Sequence, residues 1–486
     1  MLTVEAVLRA AAAAGGHLHW TGADGAGHTL PYSAVQAAVE RQAAAWVSAA
    51  GTPVATWGGN DGPHLLQALA LQRAGAIWYA VNHRLPAAVL AGVLEQVRPA
   101  AVVVLPGYRP VWEAVRDRLA APPPEAAPGG EAPPGGLLPA VAETDPATLV
   151  TTSGTTGPPK AAVYPQRAIA LHAVALAAGL GVRPGDVLLP LVPLFHVQAW
   201  GLPYVAFLQG ADLVLAGGPL EPAAVSRLMA DRGVTVAAGV PTVWHDLIRY
   251  WETAGGPPPG LRTAFTGGAP LPEALYARLT GWGVTVIEGY GLSEAGPSVA
   301  LRRAGRGAGD SGDLGYPLPF VEVMVAGEDG QPLPADGRSA GELRVRSPWT
   351  ARPLGGAAGE GWIATGDVVV QHPDGRLHLR DRLADRIKSG GEWIDSLTLE
   401  RRLLGHPAVA EAAVVACPDR RWGERPLAVV AAAAPVGEQE LQAWLREVFP
   451  AWWVPDAIHF VAALPRTATG KVDKRALRAA CRSGDA

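Results

Sequence analysis

Cysteine is nearly absent from this chain: Cys417 and Cys481 are the only two among 486 residues. Cysteines so few and so far apart match no zinc-ligand spacing and make no disulfide framework, an expectation that suits a reducing cytoplasm. Long basic blocks are absent as well. Lys plus Arg number 40 against 44 Asp plus Glu, a formal net charge of −4, which argues against a nucleic-acid partner. The longest apolar run, near 168–182, contains His172. It falls short of the roughly 18–20 residues a membrane helix needs, so no membrane span is expected. The first residues, MLTVEAVLRAAAAAGG, carry too little positive charge and too short an apolar run for a signal peptide.

What is present points to a large layered fold. The length exceeds one ordinary core, so at least two domains are expected. Hydrophobic residues make up 49%, ample for burial. Apolar β-type runs such as 101–105, 212–216 and 284–288 alternate with longer amphipathic stretches. That alternation predicts an α/β fold, with a large N-terminal domain of layered, mostly parallel sheets and helices. The Pro/Gly-rich stretch 121–138 reads as an exposed connector. After a charge-dense segment at 381–388 come short runs at 412–416 and 427–432 with helical patterns between. These predict a small, mobile α+β C-terminal domain. The expected boundaries are 1–381 and 382–486, with a hinge near 381–386.

Residues 149–160 read LVTTSGTTGPPK. Glycines let backbone N–H groups approach a ligand, hydroxyls add short donors and lysine adds a point charge, so the loop can cradle a polyphosphate. The spacing is not the Walker pattern. Further along stand PLFHVQAW at 193–200, AGVPTVW at 238–244, TGGAP at 266–270, EGYGLSEAGP at 288–297, WIATGD at 362–367, KSGGEWIDSLTLE at 388–400 and PRTATGKVDK at 465–474. Taken alone, His196 and Trp244 read as core residues, Asp367 as a turn residue and Arg382 as a solvated charge.

Taken together and in this order, the motifs resemble those of the adenylate-forming superfamily, which holds acyl-CoA synthetases, peptide-synthetase adenylation domains and luciferases. The 388–400 stretch is most similar to medium- and long-chain fatty-acyl-CoA synthetases. The resemblance spans about 29–477, and 75–85 (GAIWYAVNHRL) fits it too. It implies an ATP-dependent ligase that makes an acyl-adenylate and pyrophosphate, then transfers the acyl group to CoA. It implies that Thr152, Ser153, Gly154, Thr155, Thr156, Gly157 and Lys160 hold phosphates. Gly267, Gly268, Ala269, Glu288, Gly289, Tyr290, Gly291 and Ser293 would line the nucleotide, with Tyr290 stacked on adenine. Glu294 would hold Mg²⁺, a hard cation that prefers oxygen. Asp367 and Arg382 would meet the ribose. His196, Trp200 and Trp244 would shape the acyl pocket, with His196 near the carboxylate and Trp244 as gate. Lys388, Gly390, Gly391, Glu392 and Trp393 would border the CoA path, Ala384 would be the hinge pivot, and Lys471 the adenylation lysine.

The chemistry needs such residues. A carboxylate is a poor electrophile until its oxygen is phosphorylated, and charge that spreads over phosphoryl oxygens in the transition state calls for preorganised cations and donors. Some positions depart from the family. Ala161 and Gln166 stand where Gly and His are usual, Ala384 replaces a commoner Lys or Asp, and 348–361 is short and lacks the usual tyrosines. The expected cofactors are therefore ATP, Mg²⁺ and CoA, and the expected partner is a small-molecule acid, with the chain a monomer or homodimer. The departures keep two other readings open. One is adenylation with another acceptor or acid, such as a separate carrier protein, an amine, or a small inorganic acid like nitrite. The other is a non-catalytic nucleotide-binding homologue.

Overall fold

The computed structural model describes residues 2–22, 25–129, 138–152, 160–218, 220–303, 312–354, 361–466 and 472–483. The chain divides into two compact units. The first takes 1–310, 314–322 and 345–363, and the second takes 311–313, 323–344 and 364–486.

Strands are numbered along the chain. They are β1 (His17–Thr21), β2 (Gly27–Pro31), β3 (Pro53–Trp57), β4 (Ile77–Ala80), β5 (Ala101–Val104), β6 (Glu125–Ala126), β7 (Pro146–Thr152), β8 (Lys160–Pro165) and β9 (Val187–Pro190). There follow β10 (Asp212–Leu215), β11 (Val236–Ala238), β12 (Thr263–Gly267), β13 (Thr285–Leu292), β14 (Gly296–Arg303), β15 (Asp313–Pro317), β16 (Glu322–Ala326), β17 (Ala340–Arg346) and β18 (Arg352–Pro353). The last are β19 (Ile363–Gln371), β20 (Leu377–Arg382), β21 (Ile387–Ser389), β22 (Glu392–Ile394), β23 (Val409–Asp419), β24 (Gly423–Ala432) and β25 (Ala457–Phe460).

The first unit holds two sheets. One runs β15-β14-β13-β12-β11-β9-β10-β1-β2 and the other β18-β8-β7-β4-β3-β5-β6. Their centres are parallel, as for β12 with β13 and β3 with β4. Antiparallel strands sit toward the margins, such as β2 on β1 and β8 on β7. A helical layer built from Val4–Ala14, Tyr32–Ala43, Gly62–Arg73, Gln166–Leu180 and Leu202–Gln209 shares one core with residues of both sheets, including Trp78, Val103, Leu213 and Val236. The outer face of the first sheet packs on helices Pro241–Ala254 and Glu273–Gly281, and that of the second on Ala87–Val97 and Arg109–Arg116. The central parallel strands, such as β3, β4, β9 and β11, are thus covered on both faces, which is why these strands read as unbroken apolar runs. Helix starts follow local chemistry. Asp61 caps Gly62–Arg73 by accepting from the His64 N–H at 2.8 Å, with Pro63 in the first turn.

The second unit contains the order β16-β17-β19-β20 and a separate sheet β22-β21-β24-β23, with β25 parallel to β24. Helices Ser396–Leu404 and Glu438–Arg446 pack on that sheet through Leu399, Leu403, Leu441 and Leu445. The predicted class is borne out: mixed α/β layers with largely parallel sheets, then a smaller α+β part. The runs expected at 101–105, 212–216 and 284–288 form β5, β10 and much of β13. In the 121–138 stretch, described at 121–129 and 138, the chain is largely exposed over 121–129 but contributes the short strand β6.

One expectation is corrected. Cys417 on β23 and Cys481 on helix Lys474–Ser483 form a disulfide, with Cα atoms 5.7 Å apart. The pair is separated by 64 residues in sequence. Proximity arises because the last helix folds back over β23, with Leu477 and Val472 packed near Val415 and Val429.

No helix among the described residues is long and apolar enough to cross a membrane.

Candidate active site

In the first unit the nucleotide motifs meet by strand pairing. β12 ends in Thr266–Gly267 and lies in register with β13, so that Thr266 pairs with Glu288 and Gly267 with Gly289. Backbones approach closely here. A Cβ on Gly267 would lie 2.8 Å from the Gly289 carbonyl oxygen, and one on Gly291 would lie 2.5 Å from the Pro297 carbonyl oxygen. These glycines are required by space. The β13–β14 register slips between Tyr290 and Leu292, a bulge of the kind that re-aims side chains beside sites. Gly268 and Ala269 are exposed just beyond the strand end.

The aromatic motif joins this edge. The Trp200 ring lies near the positions a Cβ would take on Gly267 and Gly268, and packs edge-on against Phe265 at 5.4 Å between centroids. His196 packs beside Phe195 at 4.7 Å. Between them the chain is strained. Val197, Gln198, Ala199 and Trp200 all have positive φ, from 41° to 59°, a conformation that costs side-chain-bearing residues roughly 1–2 kcal/mol each. Strain of this kind collects at functional sites. Behind the turn lies a small cavity lined by Tyr164, Ile169, His172, Gln198, Tyr204 and Trp349. Burial lowers the His172 pKa to about 4, so its imidazole is neutral near pH 7. Trp200 and Trp244 do not line this cavity. Trp244 is fully buried in the core, and its Nε1 donates to the Phe265 carbonyl at 3.4 Å.

The acidic residues of the 288–297 segment have different surroundings. Glu288 is ion-paired with the buried Arg302 and accepts from the Leu271 N–H at 2.9 Å. Burial raises its pKa, with Arg302 opposing. Glu294 is half-buried. Its main-chain carbonyl accepts from the Ala351 N–H at 2.9 Å, and that of Ser293 accepts from the Tyr164 hydroxyl. Burial, and after it the Glu294 charge, pushes the Tyr164 hydroxyl well above its ordinary pKa. Tyr164 is thus a neutral donor holding the Ser293–Glu294 turn, a role that sequence reading missed. Lys160 is exposed at the start of β8, paired with Thr152 at the end of β7. Ser153, Gly154, Thr155, Thr156 and Gly157 lie outside the described residues, as does Lys471.

In the second unit, Asp367 and Arg382 are cross-strand partners on β19 and β20, with Arg382 Nε 3.5 Å from Asp367 Oδ1. Two motifs fifteen residues apart therefore form one charged pair. Ala384 is exposed in the turn that follows. Lys388, Ser389, Glu392 and Trp393 flank a two-residue hairpin whose central residues, Gly390 and Gly391, have φ of 60° and 93°. Positive φ at both central positions is the demand of a type I′ turn, which explains the glycine pair. The ammonium of Lys388 lies 5.2 Å from the Trp393 ring centre. Sequence reading also missed Lys474. Its Nζ is 2.7 Å from Glu400 Oε1 and 2.9 Å from Ser396 Oγ.

Comparison with known proteins follows the same lines. The AMP-binding enzyme family matches residues 8–354, and the AMP-binding enzyme C-terminal domain matches 398–471. The chain belongs to the AMP-binding enzyme family. It is 40% identical to a long-chain-fatty-acid–CoA ligase of Thermus thermophilus over 88% of this chain and 85% of that one. It is 32% identical to a feruloyl-CoA synthase of Amycolatopsis over 95% and 96%. Among solved structures it is similar to the amide bond synthetase McbA of Marinactinospora thermotolerans, with a TM-score of 0.86 at 27% identity over 98% of this chain and 99% of that one. These likenesses support the enzyme class expected from the motifs, the acid–CoA ligases of the AMP-forming type.

Proposed function

We propose that this enzyme activates a small-molecule carboxylic acid with ATP, releasing pyrophosphate, and passes the acyl group to CoA. The observation that carries the reading is the β12–β13 edge, where the TGGAP and EGYGLSE motifs run side by side under Trp200. CoA ligases at 40% and 32% identity across most of the chain support the same chemistry.

In this reading Tyr290 stacks on adenine, and the phosphate-loop residues with Lys160 hold the phosphates. The Asp367 carboxylate accepts from the ribose hydroxyls while Arg382 holds the ribose beside it. Lys471 bridges the acid carboxylate and the α-phosphate as the carboxylate oxygen attacks phosphorus and the bond to pyrophosphate breaks. Glu294 fits a Mg²⁺ ion by donor chemistry, being a half-buried carboxylate whose charge is felt at Tyr164. Such an ion supplies charge neutralisation on the phosphates. The CoA thiol then attacks the acyl carbon and AMP leaves. The division at 381 and a pivot at Ala384 separate the two half-reactions, since Lys471 must clear the space the thiol enters. His196 and Trp200 border the acid, with Trp244 as the proposed gate residue. An apolar tail gains about 0.8 kcal/mol for each methylene buried.

The test is acid-dependent pyrophosphate release from ATP, with and without CoA, across fatty, aryl and small inorganic acids, with products identified by mass spectrometry. An acyl-CoA from one acid class establishes the reading. An amide or a carrier-bound acyl group with no thioester overturns the CoA step, and nucleotide binding without release for any acid overturns the activity.

A further inference from the structure

The far end of the large sheet carries a cluster that adenylation does not use. His17 opens β1, His19 follows on the same face two residues later, and Asp212 opens the neighbouring parallel strand β10. Residues two apart on a strand point the same way, so both imidazoles reach the same carboxylate. His17 Nδ1 is 3.3 Å from Asp212 Oδ1, and His19 Nε2 is 3.3 Å from Asp212 Oδ2. One candidate donor atom from each of the three residues lies within 4.8 Å of the others. The carboxylate is anchored by the His17 main-chain N–H, 2.7 Å from Oδ1.

We propose that His17, His19 and Asp212 form a binding site for a divalent transition-metal ion of the zinc class. Ligand atoms around a tetrahedral ion with bonds of about 2.0–2.1 Å sit roughly 3.3 Å apart; each imidazole lies at that spacing from one of the two Asp212 oxygens, His17 Nδ1 from Oδ1 and His19 Nε2 from Oδ2. Two imidazoles and one carboxylate suit Zn²⁺, Co²⁺ or Ni²⁺ and are a poor set for Mg²⁺ or Ca²⁺. The outer partner is in place. Thr29, paired with His19 across β1–β2, has Oγ1 2.9 Å from His19 Nδ1. Arg232 Nη1, which can only donate, competes with Thr29 for that nitrogen; in the tautomer where Nδ1 carries the ring proton and donates to Thr29, Nε2 is free for the metal.

One group works against a cation. Arg232 Nη1 lies 3.3 Å from His19 Nδ1. Its charge weakens binding, so removing it strengthens the site, whereas a purely structural His–Asp cluster predicts no metal effect from that change. The site is distinct from the nucleotide edge. His17 and Asp212 stand at the starts of parallel strands, while Thr266–Gly267 stand at the end of β12 in the same sheet. A bound ion would tie the β1–β2 hairpin to β10.

The experiment uses the full chain, freed of any affinity tag and stripped of metal, without ATP. Co²⁺ is titrated while its visible ligand-field absorption is followed, and Zn²⁺ is then used to displace it. One equivalent of Co²⁺ with an intense four- or five-coordinate spectrum is expected. His17→Ala, at a half-exposed side chain, should weaken binding at least tenfold, and His19→Ala more. Arg232→Ala should tighten it, and Glu294→Gln should leave it unchanged. Absence of the spectrum at submillimolar Co²⁺, or a spectrum that survives His17→Ala and His19→Ala, overturns the proposal.

Discussion

The Asp381 carboxylate, 1% exposed, accepts hydrogen bonds from both the main-chain N–H and the hydroxyl of Ser396 at the start of helix Ser396–Leu404. It also accepts from the N–H of Arg382, at 2.7 Å. One buried side chain thus links the end of β20, where Arg382 sits, to the first helix after the hinge segment. Burial raises the Asp381 pKa from 3.8 to about 6, with Lys474 pulling the other way. The folded unit therefore favours the protonated acid. That contribution is fully present below pH 4 and is lost as pH rises through about 6, an effect of at most about 3 kcal/mol. Asp381→Asn keeps an acceptor but does not titrate. The stability difference between wild type and Asp381→Asn, from urea melts, should shift across pH 4–7 in the variant's favour. Parallel pH curves would sink the assignment.

The two lysines of the PRTATGKVDK segment should separate cleanly. Lys474 is the cation facing the buried Glu400. Removing one partner of such a pair leaves an uncompensated charge and costs about 3–5 kcal/mol, a cost that protonation of Glu400 would reduce. Lys474→Ala is therefore expected to lower the melting temperature. Lys471→Ala should melt like wild type and lose on the order of 10²–10³ in adenylation rate, the scale for one preorganised transition-state donor. Thermal melts together with pyrophosphate release measure both. Equal melting temperatures for the two variants would contradict the structural role of Lys474.

Gly291→Ala places a methyl 2.5 Å from the Pro297 carbonyl oxygen. Backbone cannot yield cheaply there, so β13 and β14 must part. The expected cost is about 1–3 kcal/mol of stability. A rise in the KM for ATP should accompany it, because Tyr290 rides on the displaced strand. Gly92→Ala is the control, since a Cβ there meets nothing within 4 Å. Steady-state kinetics and urea melts on both variants decide the matter.

The reaction class was legible because its determinants are contiguous. TGGAP, EGYGLSE and WIATGD each carry their chemistry within a few residues, and strand pairing only had to lay them together. The alternation of apolar runs showed the layering for a similar reason, since local period reports burial. Features made by tertiary contact stayed hidden. Glu288 reads as a site residue in its motif, but only the fold shows Arg302 against it. Trp244 is implied as a gate by its motif, but only the fold shows its Nε1 donating to the Phe265 carbonyl. Lys474 has no role legible in its motif, and only the fold sets Glu400 and Ser396 beside it. His17, His19 and Asp212 are linked by strand neighbours almost two hundred residues apart, a relationship no local pattern encodes.

The cysteine pair is the sharpest such case, and it has a measurable consequence. Cys417 and Cys481 have Cα atoms 5.7 Å apart, within the usual span of a disulfide. The bond closes a long loop and pins helix Lys474–Ser483 to β23. Closing a loop of this length stabilises a fold by about 2–4 kcal/mol, chiefly by restricting the unfolded chain. Oxidised protein should therefore unfold at higher urea than protein treated with dithiothreitol. Cys481→Ser should melt like the reduced protein and lose its response to the reductant. The helix begins three residues after Lys471, so adenylation should weaken along with stability once the bond is broken. Alkylation and mass mapping of the native, unreduced enzyme give the direct check. A peptide pair joined through Cys417 and Cys481 supports the clamp, and two freely alkylated thiols in air-oxidised protein would rule it out.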